Sequence, residues 1–168
     1  PGAAGAARLA MLREAVAEEP GLMVDSRELD QDRVSYTGET LEQLRVELGA
    51  DTPLAMVVGT DAFNSFDQWR DWMQLPELAH IIVVNRPGFP LAPSEPVAAL
   101  LQERRAADAA ELQHSASGSV LVMELPLLEI AATEVRGRVA AGRSIRYLVP
   151  DAVWRTIRDQ GLYRLETG

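Results

Sequence analysis

Three short apolar runs constrain this chain more than any other feature: Leu54 to Gly59 (LAMVVG), Ile81 to Val84 and Val120 to Met123. A continuous run of this kind is the signature of a strand covered on both faces of a sheet. Helical patterns separate the runs. Strand–helix alternation of this kind implies a mostly parallel sheet joined and flanked by crossover helices, so the expected fold class is α/β.

The remaining elements follow from periodicity and punctuation. Residues 6–17 (AARLAMLREAVA) carry apolar positions at helical spacing and predict an amphipathic helix. Gly21 to Asp25 reads as a short strand. Gly38 to Leu48 reads as a helix with Leu41, Leu44 and Leu48 on one face. Arg86 to Pro96 holds four of the ten prolines together with Gly88 and is expected to be loop, with helix resuming from Val97 to Ala110. Residues 113–119 (QHSASGS) form a polar turn. A last helix is expected over Asp151 to Gln160, with Asp151 as N-cap after Pro150. There is no repeat and no sign of a second domain, and 168 residues suit one domain with a sizeable core.

Composition narrows the function. A hydrophobic content of 47% belongs to a globular protein rather than a disordered one. A net charge of −9 argues against a protein that coats nucleic acid, but a small phosphorylated ligand feels the local arginines first. No apolar run approaches the roughly 18–20 residues of a membrane helix, and the first residues lack the basic start and apolar core of a signal peptide. There are no cysteines, so no disulfide and no thiolate metal site. All sixteen basic residues are Arg, which excludes a lysine phosphate loop or a Schiff base. A cytoplasmic enzyme fits this profile.

Chemistry concentrates between Leu127 and Pro150 (LLEIAATEVRGRVAAGRSIRYLVP). A helical pattern opens at Ala131-Ala132-Thr133, and Arg136, Arg138, Arg143 and Arg146 fall within eleven residues. A helix N-terminus with a hydroxyl and a guanidinium in its first turns suits a phosphate; a solvated basic face is the equal alternative. Gly59-Thr60-Asp61 lies past the first buried strand, where parallel sheets bind ligands. Asp61 there either accepts hydrogen bonds from a ribose diol or caps the next helix. Trp69 and Trp72 share a helical face, as a core pair or as a stacking surface. Tyr36 and Thr37 precede a helix whose free amides suit a carboxylate, although a Thr at that place is ordinarily an N-cap. Arg86 follows the second strand, either as a phosphate contact or as an exposed loop residue. His80 and His114 have no carboxylate spacing around them and receive no role.

In collinear order these blocks resemble the bacterial nicotinate-nucleotide adenylyltransferases, members of the nucleotidyltransferase superfamily. Ile130 to Arg136 (IAATEVR), Gly142-Arg143-Ser144 and Tyr147-Leu148-Val149-Pro150 resemble that family's I-S-x-T-x-I-R, G-x-S and Y-L-V-P motifs. Ser35-Tyr36-Thr37 with Thr40-Leu41 resembles S-Y-T-x-x-T-L, and Gly59-Thr60-Asp61, eight residues ahead of Trp69, resembles G-x-D…W. His80 to Pro90 (HIIVVNRPGFP) resembles its strand and turn ending in Arg-Pro-Gly, and Gly161-Leu162-Tyr163-Arg164 its C-terminus. Three departures stand out. Ala131 replaces the usual serine, and Leu127 stands near the place of a second stacking aromatic. The family's G-G-x-F-D-P-x-H-x-G-H motif, which supplies a catalytic histidine pair, is absent from the sequence.

The resemblance implies a Rossmann-like nucleotidyltransferase fold over residues 1–168 as a single domain, without the family's N-terminal strand–loop–helix and its catalytic residues. It implies adenylyl transfer from ATP to nicotinate mononucleotide in NAD biosynthesis, with Mg²⁺ carried mostly by ATP. Thr133 and Arg136 would hold the ATP phosphates. Tyr36, the Thr37 amide, Asp61, Trp69 (stacked on the nicotinate ring) and Arg86 would hold the mononucleotide. The alternatives are a superfamily enzyme with another acceptor, nicotinamide mononucleotide or pantetheine phosphate, and a non-catalytic pyridine-nucleotide-binding fragment. Nucleic acid and membrane partners are not expected.

Overall fold

The computed structural model describes residues 2–29, 34–85, 88–126, 128 and 130–164. They fall into two compact units, residues 33–128 and residues 1–32 with 129–168.

The 33–128 unit is built on the expected parallel sheet. Strands β1 (Ala55–Gly59), β2 (His80–Val84) and β3 (Val120–Met123) lie in the order β1-β2-β3. Ala55 pairs with His80 and Gly59 with Val84, while Ile81 pairs with Val120 and Val84 with Met123, so the strands end nearly level at their carboxyl ends. Helices α2 (Thr37–Leu48), α3 (Thr60–Asn64), α4 (Leu75–Leu78) and α5 (Glu95–Arg104) accompany them. Phe63, Phe66, Leu75, Ile81, Val83, Val97 and Val120 form the centre of its core, and Leu41 of α2 packs into it.

Of the three strands expected to be buried on both faces, β2 and β3 are: Val120 and Val122 of β3 pack on the main core, and Leu121 and Met123 on a second cluster. Ile81 and Val83 of β2 are buried in the main core, and Ile82 packs on that second cluster of Ala106, Leu112 and Leu121. In β1 the burial alternates: Met56 and Val58 face the core, whereas Val57 is 64% exposed. It is an edge strand, and among the described residues one of its faces is left uncovered.

Two long-range bonds explain further departures. Helix α5 ends at Arg104 rather than Ala110, because Arg105 turns extended, bridges to Val120, and lets the Ala106 N–H donate to the Val120 carbonyl (2.9 Å). It also begins earlier than expected, at Glu95, with Pro96 in its first turn, where a missing N–H costs nothing. In α2, Leu41 is buried but Leu48 is 47% exposed, so the predicted stripe points inward only at its start.

One arginine ties the corners of this unit together. From the last turn of α2, Arg45 donates through Nε (3.0 Å) and Nη2 (2.7 Å) to the Leu78 carbonyl and through Nη2 to that of Ala116 (2.7 Å), and Nη1 reaches the carbonyls of Gly49 and Thr52. Behind it, His80 is completely buried. Its Nδ1 accepts the Ser119 N–H (3.1 Å), which leaves the proton on Nε2 to be donated to the Ser115 carbonyl (2.9 Å). The histidine without a functional role therefore staples the 115–119 turn to β2.

The other unit contains helices α1 (Gly5–Val16), α6 (Ala132–Ala140) and α7 (Asp151–Asp159). Its core is Met11, Val135, Ile145 and Ile157, and Thr156 of α7 donates to the Glu14 carboxylate of α1 (2.7 Å). Residues 21–25, expected as a strand, form none: Leu22 and Met23 are 60% and 92% exposed, and apolar residues without a partner surface have nothing to pair against. Asp151 is the first residue of α7 rather than its N-cap, a position held by Pro150; its carboxylate faces Arg155 one turn on at 3.9 Å. Among the described residues no helix is long and apolar enough to cross a membrane.

Candidate active site

In the 33–128 unit, Tyr36, Thr37 and Asp61 stand at helix starts. Tyr36 occupies the extended N-cap position of α2 and Thr37 opens the helix, so Thr37 is not the cap. Its N–H is one of the first-turn amides that a helix leaves without an intrahelical partner. Asp61 is the second residue of α3, directly past the carboxyl end of β1, and Gly59 holds the N-cap place there. Asp61 is thus not the N-cap either, and stands where the edge of a parallel sheet receives ligands.

The tryptophans do not lie on one helix. Trp69 follows a single 3-10 turn (Phe66–Gln68) and Trp72 opens another (Trp72–Gln74), with Asp71 between them in the left-handed region (φ 52°). That break replaces the expected helical spacing. Both rings still meet Phe66, at centroid distances of 5.3 and 6.1 Å, and both are half-buried, so each has a packed side and an open side. Next to Trp69, the Arg70 guanidinium lies over the Tyr36 ring, 4.4 Å from its centroid. Tyr36, Glu39, Glu42, Arg70 and Asp71 line a cavity of about 220 Å³ beside the start of α2.

Arg86 lies outside the described residues, as does Leu127. The loop after Arg86 is pinned by α3. Thr60 Oγ1 donates to the Phe89 carbonyl (2.6 Å), and Asn64 both donates to the Pro90 carbonyl (2.9 Å) and accepts the Ala92 N–H (2.8 Å). Thr60 and Asn64 were not singled out in the sequence. Their place at the mouth of the sheet, between Asp61 and a proline-rich loop, is the signal that identifies them as supports.

In the other unit, α6 begins at Ala132 with Ala131 as its N-cap, which has no side-chain oxygen to offer the free amides. Thr133 and Arg136 are one turn apart, and Arg136 Nη2 donates to Thr133 Oγ1 (3.2 Å). The two predicted phosphate residues thus present a hydroxyl and a guanidinium together at a helix start. Arg136 and Arg8 are the cations around an otherwise largely apolar cavity of about 420 Å³ walled by α1, α6 and α7.

Arg138 and Arg146 of the arginine cluster are engaged elsewhere. Arg138 donates to the Ser144 carbonyl (3.2 Å) and pairs with Glu134 (3.7 Å). Arg146 stacks on Trp154 (5.1 Å) and Tyr147 (5.3 Å). Arg158 also stacks on Trp154, and its hydrogen bond to Asp159 holds that carboxyl below its usual range. Among the described residues no group of three or more His, Asp or Glu could hold a metal ion.

The parallel sheet with Asp61 at its carboxyl edge, and in the other unit the arginine–hydroxyl helix start, each suit a phosphorylated ligand in an α/β protein. The cytidylyltransferase-like family matches residues 3–138. Over 162 residues the chain is 54% identical to a probable nicotinate-nucleotide adenylyltransferase of Marinobacter nauticus, covering 96% of this chain and 75% of that protein. A protein of the same name from Cellvibrio japonicus is 43% identical over 164 residues, covering 98% of this chain and 77% of its own. Among solved structures, Plasmodium falciparum nicotinic acid mononucleotide adenylyltransferase complexed with NaAD matches with a TM-score of 0.54 at 15% identity, over 79% of this chain and 58% of that one, a likeness of fold.

The chain is therefore a cytidylyltransferase-like protein with a Rossmann-like fold. Within that class it belongs to the nicotinate-nucleotide adenylyltransferase family.

Proposed function

We propose that the protein transfers the adenylyl group of ATP to nicotinate mononucleotide, giving nicotinate adenine dinucleotide and pyrophosphate. The observation that carries this reading is the 54% identity to a family member along 96% of the chain. A phosphate oxygen of the mononucleotide attacks the α-phosphorus of ATP in line. As that P–O bond forms, the bond between the α-phosphorus and the α,β-bridging oxygen breaks, and pyrophosphate leaves with the electron pair. Such a step needs positioning and neutralisation of charge more than a protein nucleophile.

Thr133 and Arg136, already joined at 3.2 Å, are the groups we assign to the β- and γ-phosphates. A forked guanidinium matches phosphate oxygens at two points, and the α6 amides add the positive end of the helix dipole. Trp69 offers its open side to the pyridine ring, and the Thr37 amide offers a donor to the carboxylate. Asp61 takes the ribose hydroxyls, with Tyr36 beside the ring, and Arg86 is the residue we assign to the mononucleotide phosphate. ATP would enter as its magnesium complex, the ion offsetting phosphate charge as part of the substrate.

His80, buried and bonded on both nitrogens, is a structural group rather than a proton carrier. The family match from residue 3 to 138 takes in parts of both units, which supports reading 1–168 as one nucleotidyltransferase-like domain. Both substrates are highly charged and do not cross bilayers unaided, which favours the cytoplasm.

Pyrophosphate release from Mg-ATP tests the reading, with nicotinate mononucleotide, nicotinamide mononucleotide and pantetheine phosphate as parallel acceptors. Fastest turnover with nicotinate mononucleotide is expected. A faster reaction with pantetheine phosphate would refute the assignment.

A further inference from the structure

We infer that Arg70 is a specificity-determining residue that sets the preference for a pyridine acid over its amide, an inference resting on the reading that Trp69 and the Thr37 amide hold the ring. Arg70 adjoins Trp69 in the chain, and its guanidinium lies 4.4 Å from the centroid of Tyr36, which adjoins Thr37. One cation thus links the segment carrying the stacking ring to the helix start carrying the carboxylate donor.

Its surroundings are acidic. Arg70 Nη1 is 3.9 Å from Glu39 Oε1 and its Nε is 3.4 Å from Asp71 Oδ2, and Glu42 lines the same cavity. Among the described lining residues three carboxylates therefore face one cation. Left alone, three negative charges repel a fourth, that of nicotinate, while a neutral amide is indifferent to them. On that reading Arg70 offsets this field beside the start of α2, where the Thr37 amide is offered to the acid. It does so in an open setting, since its side chain is 57% exposed, so solvent screening limits the effect to about five- to tenfold.

The test compares Arg70→Gln with Arg70→Lys, using kcat/KM for nicotinate and nicotinamide mononucleotides at saturating Mg-ATP. If the amide is turned over too slowly, binding of both mononucleotides is read by quenching of tryptophan fluorescence. Arg70→Gln is expected to weaken the acid about five- to tenfold and to leave the amide within about twofold. Arg70→Lys is expected to keep most of the preference, because it keeps the charge. A purely structural role, holding Tyr36 in place, predicts equal losses on both acceptors, and that result would overturn the inference. Trp69→Leu is run alongside, because stacking serves both rings. Losses on both acceptors with Trp69→Leu keep the pocket reading intact whatever Arg70 does. No loss on either sinks the pocket itself.

Discussion

Replacing Arg45 by Met keeps the aliphatic stem and removes the guanidinium, which isolates what the charge-bearing fork contributes. Three of its hydrogen bonds are part-buried: two to the Leu78 carbonyl (3.0 and 2.7 Å) and one to that of Ala116 (2.7 Å). A hydrogen bond to a charged group is worth about 1.5–3 kcal/mol, but three sharing one side chain are not additive, so we expect a loss of about 3–5 kcal/mol. Leu78 precedes β2 and Ala116 precedes β3, and both carbonyls would lose their bonds to Arg45 at once. Arg45→Lys reaches one carbonyl at a time and is expected to lose about half as much. At about 2–4 °C per kcal/mol for a chain of this size, Arg45→Met lowers Tm by roughly 6–20 °C. Thermal and urea unfolding followed by circular dichroism measure this directly. A loss below about 1 kcal/mol for Arg45→Met, or a larger loss for Lys than for Met, would refute the reasoning.

Three further outcomes are expected. Arg136→Ala raises KM for ATP or lowers kcat by about tenfold and leaves KM for the mononucleotide unchanged, whereas Thr133→Ala has the smaller effect; unchanged ATP kinetics in Arg136→Ala removes it from the phosphate site. His80→Phe costs roughly 1–3 kcal/mol in urea unfolding, because the Ser119 amide and Ser115 carbonyl lose their partner, and a neutral result contradicts the staple. Asp25 is held below its usual range, first by the Arg27 backbone N–H and also by its side chain. A depressed pKa contributes stability above the unfolded value near 3.8 and loses it as pH falls through the folded value. Asp25→Asn is accordingly expected to lower Tm slightly at pH 7 and not at pH 2.5, and an equal difference at both pH values contradicts the linkage.

The sheet was legible because three runs of branched apolar residues have no other economical use. β3 runs from Val120 to Met123 as expected, since sequence burial and pairing agree there. The one-sided cover of β1 was not legible, because composition reports what a strand could bury and not what stands opposite it. The end of α5 depended on the Arg105–Val120 bridge, and the broken tryptophan pair on one left-handed residue, Asp71; neither leaves a trace in periodicity. In the candidate site, Tyr36, Thr37, Asp61, Trp69, Thr133 and Arg136 were singled out through motif resemblance; all but Trp69, which follows a 3-10 turn, stand in or beside the first turns of helices. Arg70 could not be found that way. Its meaning comes from a tyrosine far away in sequence, which only the folded chain brings under it.

The bond from Thr156 to Glu14 joins α7 to α1 across almost the whole chain, whereas residues 33–128 form their unit from one uninterrupted stretch. During synthesis the two therefore mature at different moments. The 33–128 unit can pack its core once β3 has left the ribosome, but α1 must wait for α7 before its apolar side is covered. A nascent chain halted before α7 would hold the packed 33–128 core, while Met11 and Val135 still lack Ile157 as a core partner.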